Sequence, residues 1–129
     1  MKVLIVEDDF VSAKLLDTIL SSFASCDIAT NGIIAVEMIE KSFEEEILYD
    51  LICLDIMLPE LDGHEVLKRL REIEEELNNL QPIKVIMITA LGDSENIKKS
   101  FGGKAEAYLV KPIFREKLLE TIKMLELID

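Results

Sequence analysis

Histidine and cysteine are scarce in this sequence of 129 residues, which contains one His and two Cys. A single His excludes a multi-histidine metal centre. Cys26 and Cys53 do not form a CxxC motif, and no His stands near either of them to complete a soft-metal site. We therefore interpret both as reduced thiols, with Cys53 inside a buried strand.

Long hydrophobic runs are also missing, although 50% of the residues are apolar. The apolar runs have the length of strands, well below the roughly 20 residues that a membrane span requires. Residues 1–2 lead directly into the run at 3–6, without the layout of a signal peptide. These features predict a soluble, cytoplasmic protein.

Positive charge is in short supply, because 14 Lys and Arg face 26 Asp and Glu, a net charge of −12. Such a chain is a poor partner for DNA, RNA or an anionic membrane. The acidic runs 44–46 and 74–76 are expected to be solvated helix ends. The apolar fraction is too high for a disordered chain, and no linker or repeat divides the sequence, so residues 1–129 predict a single domain.

Short apolar runs alternate with helical patterns along the chain. Near-continuous runs at 2–6, 50–54, 83–89 and 107–110, with a weaker one at 26–29, predict five strands buried mostly on both faces. Apolar residues recur at helical spacing within 11–23, 35–39, 66–80 and 114–125, and residues 93–101 predict a short helix, the fourth of five. Strand–helix alternation predicts an α/β fold with a doubly wound parallel sheet.

Polar residues follow four of these strands, namely residues 7–9, Asp55, Thr89 and Lys111. Ligands of doubly wound sheets bind beyond the carboxyl ends of the strands, so these groups are expected to share one crevice. Carboxylates that crowd together stay ionised only when a cation joins them. Hard oxygen ligands without His or Cys favour Mg²⁺ or Mn²⁺. Thr89 and Lys111 are suited to contact a phosphate-like anion drawn in by that metal.

The sequence resembles the receiver domains of two-component response regulators, in particular those of the chemotaxis-regulator type. The matching stretches are Val-Glu-Asp-Asp at 6–9, Leu-Asp-Ile-Met-Leu-Pro at 54–59 with Asp62-Gly63, Met-Ile-Thr-Ala at 87–90, and Tyr-Leu-Val-Lys-Pro at 108–112. They occur in order over nearly the whole chain. The resemblance implies a flavodoxin-like sheet with strand order 2-1-3-4-5 and five helices.

The same resemblance implies roles for individual residues. Asp55 would be the phospho-acceptor, and Asp8 and Asp9 would hold Mg²⁺ together with Asp55 and the backbone carbonyl of Met57. Thr89 would be the switch hydroxyl, and Lys111 would contact the phosphoryl oxygens. Glu7 is left open between tuning the metal affinity and simple solvation.

The family also implies the partners and the output. A phosphohistidine of a sensor histidine kinase or a histidine phosphotransfer protein would supply the phosphoryl group. Movement of Thr89 and Tyr108 would then reshape the face formed by the fourth helix, the fifth strand and the fifth helix, which meets a downstream protein target or output domain. The domain would be a signalling switch that assists its own phosphorylation and dephosphorylation, and not a metabolic enzyme.

Two surfaces are candidates for protein contacts. The family docks its histidine-bearing helices on the first helix and the loop after Lys111, here Phe10, Val11, Lys14 and residues 112–113. The last helix carries further apolar residues, and these are compatible with a homodimer that forms on phosphorylation: Leu119, Met124, Leu127 and Ile128.

Two departures from the family pattern bear on behaviour. Lys104 stands where the family has Gly, so the loop after the fourth helix is expected to be rebuilt. Met57 and Leu91 are apolar at places that influence the attacking water, which predicts slow autodephosphorylation.

Three other functions compete with this interpretation. A phosphoaspartyl hydrolase would need a second carboxylate two residues beyond Asp55, where Met57 stands. A flavodoxin-like or dinucleotide-binding domain would need a phosphate loop in place of the acidic residues 7–9. A pseudo-receiver that only docks would share the same fold, and retention of all the site residues counts against it.

Overall fold

The computed structural model describes residues 1–79, 81–90 and 104–129. Five parallel strands form one sheet in the order β2-β1-β3-β4-β5. They are β1 (Lys2–Val6), β2 (Ser25–Ala29), β3 (Leu51–Asp55), β4 (Lys84–Thr89) and β5 (Ala107–Val110). This arrangement confirms the predicted α/β fold and its strand order.

Four helices occur among the described residues. They are α1 (Phe10–Leu20), α2 (Gly32–Glu44), α3 (Gly63–Glu76) and a C-terminal helix (Arg115–Met124). The helix predicted at 93–101 lies outside the described residues. None of the described helices combines the length and the apolar character that crossing a membrane would demand.

The two faces of the sheet carry separate apolar cores. Strand alternation sends Leu4 and Val6 of β1 into a core shared with α2 and α3. Val3 and Ile5 enter the opposite core, which packs against α1 and the C-terminal helix. Because β1 and β3 are covered on both faces, their sequences are apolar at almost every position.

Polar side chains begin the first three helices beside the sheet edge where the strands end. Asp9, Asn31 and Asp62 each accept a hydrogen bond from the backbone N–H three residues later. Such caps satisfy one of the free amides of a first helical turn. They fix the points at which the chain turns from a strand edge into a helix.

Gly63 lets α3 approach β3 closely. A Cβ at this position would lie 2.6 Å from the carbonyl oxygen of Asp55 and 2.7 Å from the Cα of Ile56, distances that no side chain tolerates. The Gly63 N–H donates to the Ile56 carbonyl at 3.0 Å. The start of α3 therefore rests directly on the main chain of Asp55.

Candidate functional site

The predicted polar residues meet at the carboxyl edge of the sheet because strand pairing continues past the strand ends. The Glu7 N–H donates to the Ala29 carbonyl at 3.0 Å, and the Lys111 N–H donates to the Thr89 carbonyl at 2.8 Å. These bonds hold the residues after β1 and β5 in register with their neighbours. The peptide bond from Lys111 to Pro112 is cis.

Lys111 bridges two buried carboxylates at the centre of the site. Its Nζ lies 2.8 Å from Asp55 Oδ2 and 2.7 Å from Glu7 Oε1. Asp55 is 3% exposed and Glu7 is 2% exposed. An ammonium between two buried carboxylates stabilises their charges. This attraction offsets part of the free energy that burying the carboxylates costs. The pKa of Lys111 is raised, because its bonds to Asp55 and Glu7 outweigh the opposing effect of desolvation.

The second carboxylate oxygen of Asp55 is held by the chain itself. Asp55 Oδ1 accepts a hydrogen bond from the Met57 N–H at 3.0 Å. With Lys111 on Oδ2, both oxygens have a fixed direction. The Asp55 side chain is therefore oriented from both sides before any ligand arrives.

Three carboxylates converge at this place: oxygens of Glu7, Asp8 and Asp55 lie within 4.8 Å of one another. Asp8 is exposed and opens the cluster to solvent. One oxygen of Glu7, Oε2, is buried without a hydrogen-bond partner among the described residues. Burial, reinforced by the neighbouring Asp55, raises the pKa of Glu7 to about 7. A crowded hard-oxygen cluster with an unsatisfied carboxylate oxygen fits a divalent cation such as Mg²⁺.

The sequence left open whether Glu7 tunes the metal affinity or is simply solvated. The second alternative is wrong, because Glu7 is buried. Residues 3, 5 and 7 share one face of an extended chain, and Val3 and Ile5 are fully buried. Continuing that alternation by one step would have assigned Glu7 to the interior. The sequence signal for a buried Glu7 is therefore the alternation of β1, which continues one residue beyond Val6, the last apolar residue of the strand.

Asp9 occupies a different position from the other two acidic residues after β1. Its Oδ2 accepts hydrogen bonds from the Ser12 hydroxyl at 2.7 Å and from the Ser12 N–H at 3.0 Å. These bonds lower the pKa of Asp9. The structure thus places Asp9 at the beginning of α1, outside the carboxylate cluster.

Thr89 and Tyr108, the two predicted switch residues, lie on neighbouring strands. Thr89 ends β4 and is buried, with its hydroxyl 3.5 Å from the Ala90 carbonyl oxygen. Tyr108 is half-buried against the core formed with α2 and α3. Desolvation, with a smaller effect of Glu106, raises the Tyr108 pKa. Leu91, two residues beyond Thr89, lies outside the described residues.

A groove of about 400 Å³ opens beside this site, between α1 and the loop after β5. Glu7 and Lys111 form part of its wall, and the rest is largely apolar, with Val11, Leu15 and Ile113 among the lining residues. Val11 is strongly exposed, as is Phe10, the residue before it in the chain. Of the predicted docking residues, Val11, Pro112 and Ile113 therefore share this groove with Glu7 of the carboxylate cluster.

Known proteins are similar to this chain in both sequence and fold. Residues 3–123 match the family model of the response regulator receiver domain. The chain is 33% identical over 121 residues to the chemotaxis protein CheY of Treponema pallidum, which covers 94% of this chain and 79% of that protein.

Solved structures are similar to the whole fold as well, and two of them bear on the site. One is the receiver domain of the sensor histidine kinase PA1611 from Pseudomonas aeruginosa, which has a magnesium ion coordinated in its active site cleft; its TM-score is 0.76 at 28% identity, over 95% of this chain and 94% of that one. The other is the CheX–CheY–BeF3–Mg complex of Borrelia burgdorferi, with a TM-score of 0.80 at 31% identity, over 100% of this chain and 90% of that one. Taken with the strand order and the acidic pocket at Asp55, these matches show that the chain belongs to the response regulator receiver domain family.

Proposed function

We propose that Asp55 accepts a phosphoryl group from a phosphohistidine and so switches the domain between two states. The observation that carries the proposal is the contact of Lys111 Nζ with Asp55 Oδ2 at 2.8 Å inside an otherwise acidic pocket. This contact puts a cation where a phosphoryl group on Asp55 would place its charge. Such preorganised charge is the main requirement of phosphoryl transfer.

The metal site that we propose consists of Glu7, Asp8, Asp55 and the backbone carbonyl of Met57. The first three supply the converging carboxylates, and the buried Oε2 of Glu7 is the oxygen that lacks a partner within the described residues. Bound Mg²⁺ would neutralise the phosphoryl oxygens as transfer occurs, and Mn²⁺ has the same ligand preference. Asp9 as a ligand stays a prediction that the variants discussed below separate from its capping role.

The residues of the chain perform the rest of the reaction by position. An oxygen of Asp55 forms the new bond to phosphorus as the bond between phosphorus and the donor's imidazole nitrogen breaks, and that electron pair leaves with the imidazole. Lys111 balances the negative charge left on the phosphoryl oxygens. The Met57 N–H keeps the carboxylate plane fixed, which limits the entropy lost on reaching the transition state.

The switch would act through Thr89 and Tyr108. A phosphoryl group on Asp55 adds a hydrogen-bond acceptor near the Thr89 hydroxyl, whose bond to Ala90 is long at 3.5 Å and readily exchanged. Tyr108, one strand away and half-buried, would follow into the space that Thr89 leaves. Phosphorylation would then bias an equilibrium between two packings of this face, which a downstream target or output domain reads.

The donor would dock on the groove beside α1. Its apolar wall fits the side of a helix from a sensor histidine kinase or phosphotransfer protein, and Glu7 and Lys111 at its end join the groove to the site. A phosphohistidine on such a helix would approach Asp55 from the part of the groove that Glu7 and Lys111 line. These partners meet the domain in the cytoplasm.

Incubation with acetyl phosphate and Mg²⁺, followed by intact mass spectrometry, tests the proposal. We expect one added phosphoryl group on the unmodified chain and none on Asp55→Asn. Asp62→Asn, which alters an exposed cap on the next helix, serves as a matched control and should still be labelled. An unlabelled wild-type chain would favour the pseudo-receiver, and equal labelling of Asp55→Asn would place the acceptor elsewhere.

A further inference from the structure

A second surface with its own chemistry lies at the end of the sheet opposite Asp55. The ends of α2 and α3 meet there in a cavity of about 460 Å³. Its lining combines apolar and polar side chains: Phe43, Glu46, Leu48, Leu77, Asn78 and Asn79. We call this surface the basal patch.

Apolar side chains of the basal patch are open to solvent. Leu77 is 57% exposed and Leu48 is 37% exposed, and the neighbouring Ile47 is 56% exposed. Leu48 and Leu77 belong to different loops yet border the same cavity. The patch therefore offers a shallow apolar seat for side chains from another molecule.

Acidic residues stand at the ends of both helices that meet at this cavity, and one of them, Glu46, lines it. The run 44–46 closes α2 and residues 75–76 close α3, and all five carboxylates are exposed. Glu76 pairs with Arg69 at 3.4 Å, whereas Glu44, Glu45, Glu46 and Glu75 form no ion pair among the described residues. The prediction of solvated helix ends therefore holds for these five residues. It is wrong for Glu74, which is buried and forms an ion pair with Arg71.

Helix dipoles add to this charge. α2 ends at Glu44 and α3 at Glu76, so both helices turn their negative ends towards the basal patch. Carboxylates at helix C-termini weaken a helix rather than stabilise it, so internal stability does not account for their concentration here. A cation from outside would find dipole and carboxylate charge acting together.

We infer that the basal patch binds a basic amphipathic helix of a partner protein. Apolar side chains on one face of such a helix would enter the cavity beside Leu48 and Leu77. Lysines or arginines on adjoining turns would reach the acidic runs on either side, as in helix-in-groove recognition. The complementarity of an apolar centre and an acidic rim selects this partner over an acidic or a purely apolar one.

The patch is separate from the phospho-acceptor site and the inference does not depend on the proposed function. Leu48 precedes β3, whereas Asp55 is the last residue of that strand. The five residues of β3 keep the two surfaces about 16 Å apart along the sheet. Binding at the patch is therefore expected without phosphorylation.

A designed helical peptide of leucine and lysine, with all leucines on one face, is a direct probe. We expect its addition to the isotope-labelled full chain to shift the amide NMR signals of residues 43–48 and 77–79. A peptide of the same composition in scrambled order, which has no apolar face, should bind at least about tenfold more weakly. Asp55→Asn should bind the helical peptide as the wild type does.

Matched variants locate the contact. Leu48→Gln with Leu77→Gln should weaken binding about tenfold, whereas Met124→Gln, at a residue 74% exposed on the C-terminal helix, should leave it unchanged. Glu44→Gln with Glu45→Gln should weaken it about threefold more than Glu116→Gln with Glu120→Gln. Circular dichroism of each variant verifies the fold.

The inference is overturned by any of three results. Equal binding of the scrambled peptide would show that charge attraction alone, without an apolar contact, accounts for binding. Signal changes centred on the α1 groove would assign the peptide to that surface. If the double variant Leu48→Gln with Leu77→Gln is folded and binds like the wild type, these two leucines do not take part in the contact.

Discussion

At the scale of single residues, Glu7 is a buried carboxyl beside a lysine and two more carboxylates, and this makes stability depend on pH. Burial raises its pKa from 4.5 to about 7 in the folded chain. The folded state therefore binds a proton at Glu7 more tightly than the unfolded state does. The resulting stabilisation is complete below about pH 4.5 and is lost as the pH rises towards 7.

We expect urea denaturation in EDTA to show this loss as a difference between wild type and Glu7→Gln. The Gln variant keeps the shape of the side chain and does not titrate, so its stability should fall less across the same pH range. Parallel curves for the two proteins would contradict the buried position of Glu7.

Asp8 and Asp9 differ in what they contact, so their variants should behave differently. Asp8→Asn removes a carboxylate from the cluster and should weaken Mg²⁺ binding at least about tenfold in calorimetric titration. Asp9→Asn keeps a capping oxygen for Ser12 and should leave the Mg²⁺ affinity within about threefold of wild type. An equal loss in both variants would restore Asp9 as a ligand.

Met57 is the residue that we expect to set the lifetime of an aspartyl phosphate on Asp55. It is 72% exposed beside Asp55 and offers no polar group to orient water. We expect slow loss of the phosphoryl group, followed by intact mass over time, and faster loss in Met57→Asn, whose amide can hold the attacking water. Met124→Asn, an equally exposed substitution away from the site, should not change the rate; a wild-type half-life of seconds would refute the prediction.

At the scale of secondary-structure elements, Arg71 joins the end of α3 to the beginnings of β4 and β5. Its guanidinium donates to the Lys104 carbonyl at 2.7 and 3.0 Å, to the Ile83 carbonyl at 3.0 Å and to Glu74 at 2.7 Å. Glu74 in turn accepts the Ile83 N–H at 2.6 Å. Lys104, the departure from the family's Gly, is thus held through its carbonyl, and residues 91–103 directly before it lie outside the described part of the chain.

Arg71→Ala should lower the free energy of unfolding by about 2–3 kcal/mol, because Glu74 would remain buried without its cation. Arg69→Ala, two positions earlier and largely in exposed ion pairs, should cost less than about 1 kcal/mol. Urea denaturation compares the two. Similar losses would mean that the Arg71 contacts carry no special weight.

At the scale of the whole molecule, a bound divalent cation should stabilise the entire fold. Binding to the folded state alone adds stability that grows with the logarithm of the cation concentration, about 2.7 kcal/mol at a hundredfold excess over Kd. We expect Mg²⁺ to raise the melting temperature of the wild type, followed by circular dichroism, and to leave Asp8→Asn nearly unchanged. An equal rise in both would indicate a site elsewhere on the acidic surface.

The parallel sheet was predictable because buried parallel strands leave apolar runs that few other structures explain, whereas its strand order was implied by the family resemblance. The meeting of Asp55, Thr89 and Lys111 at one edge followed from that order. The different positions of Glu7 and Asp9 did not follow from it, because they depend on where pairing with β2 ends and α1 begins. The Arg71 contacts likewise join residues 33 positions apart, a distance that no local pattern spans.

The close approach of Gly63 to Asp55 has a mechanical meaning. Side chains normally separate packed secondary-structure elements, but here the main chain of α3 contacts the main chain at the end of β3 directly. α3, with 14 residues, is a rod about 21 Å long whose far end borders the basal patch. A tilt of α3 would therefore reach the main chain of Asp55, the proposed acceptor, without an intervening side chain.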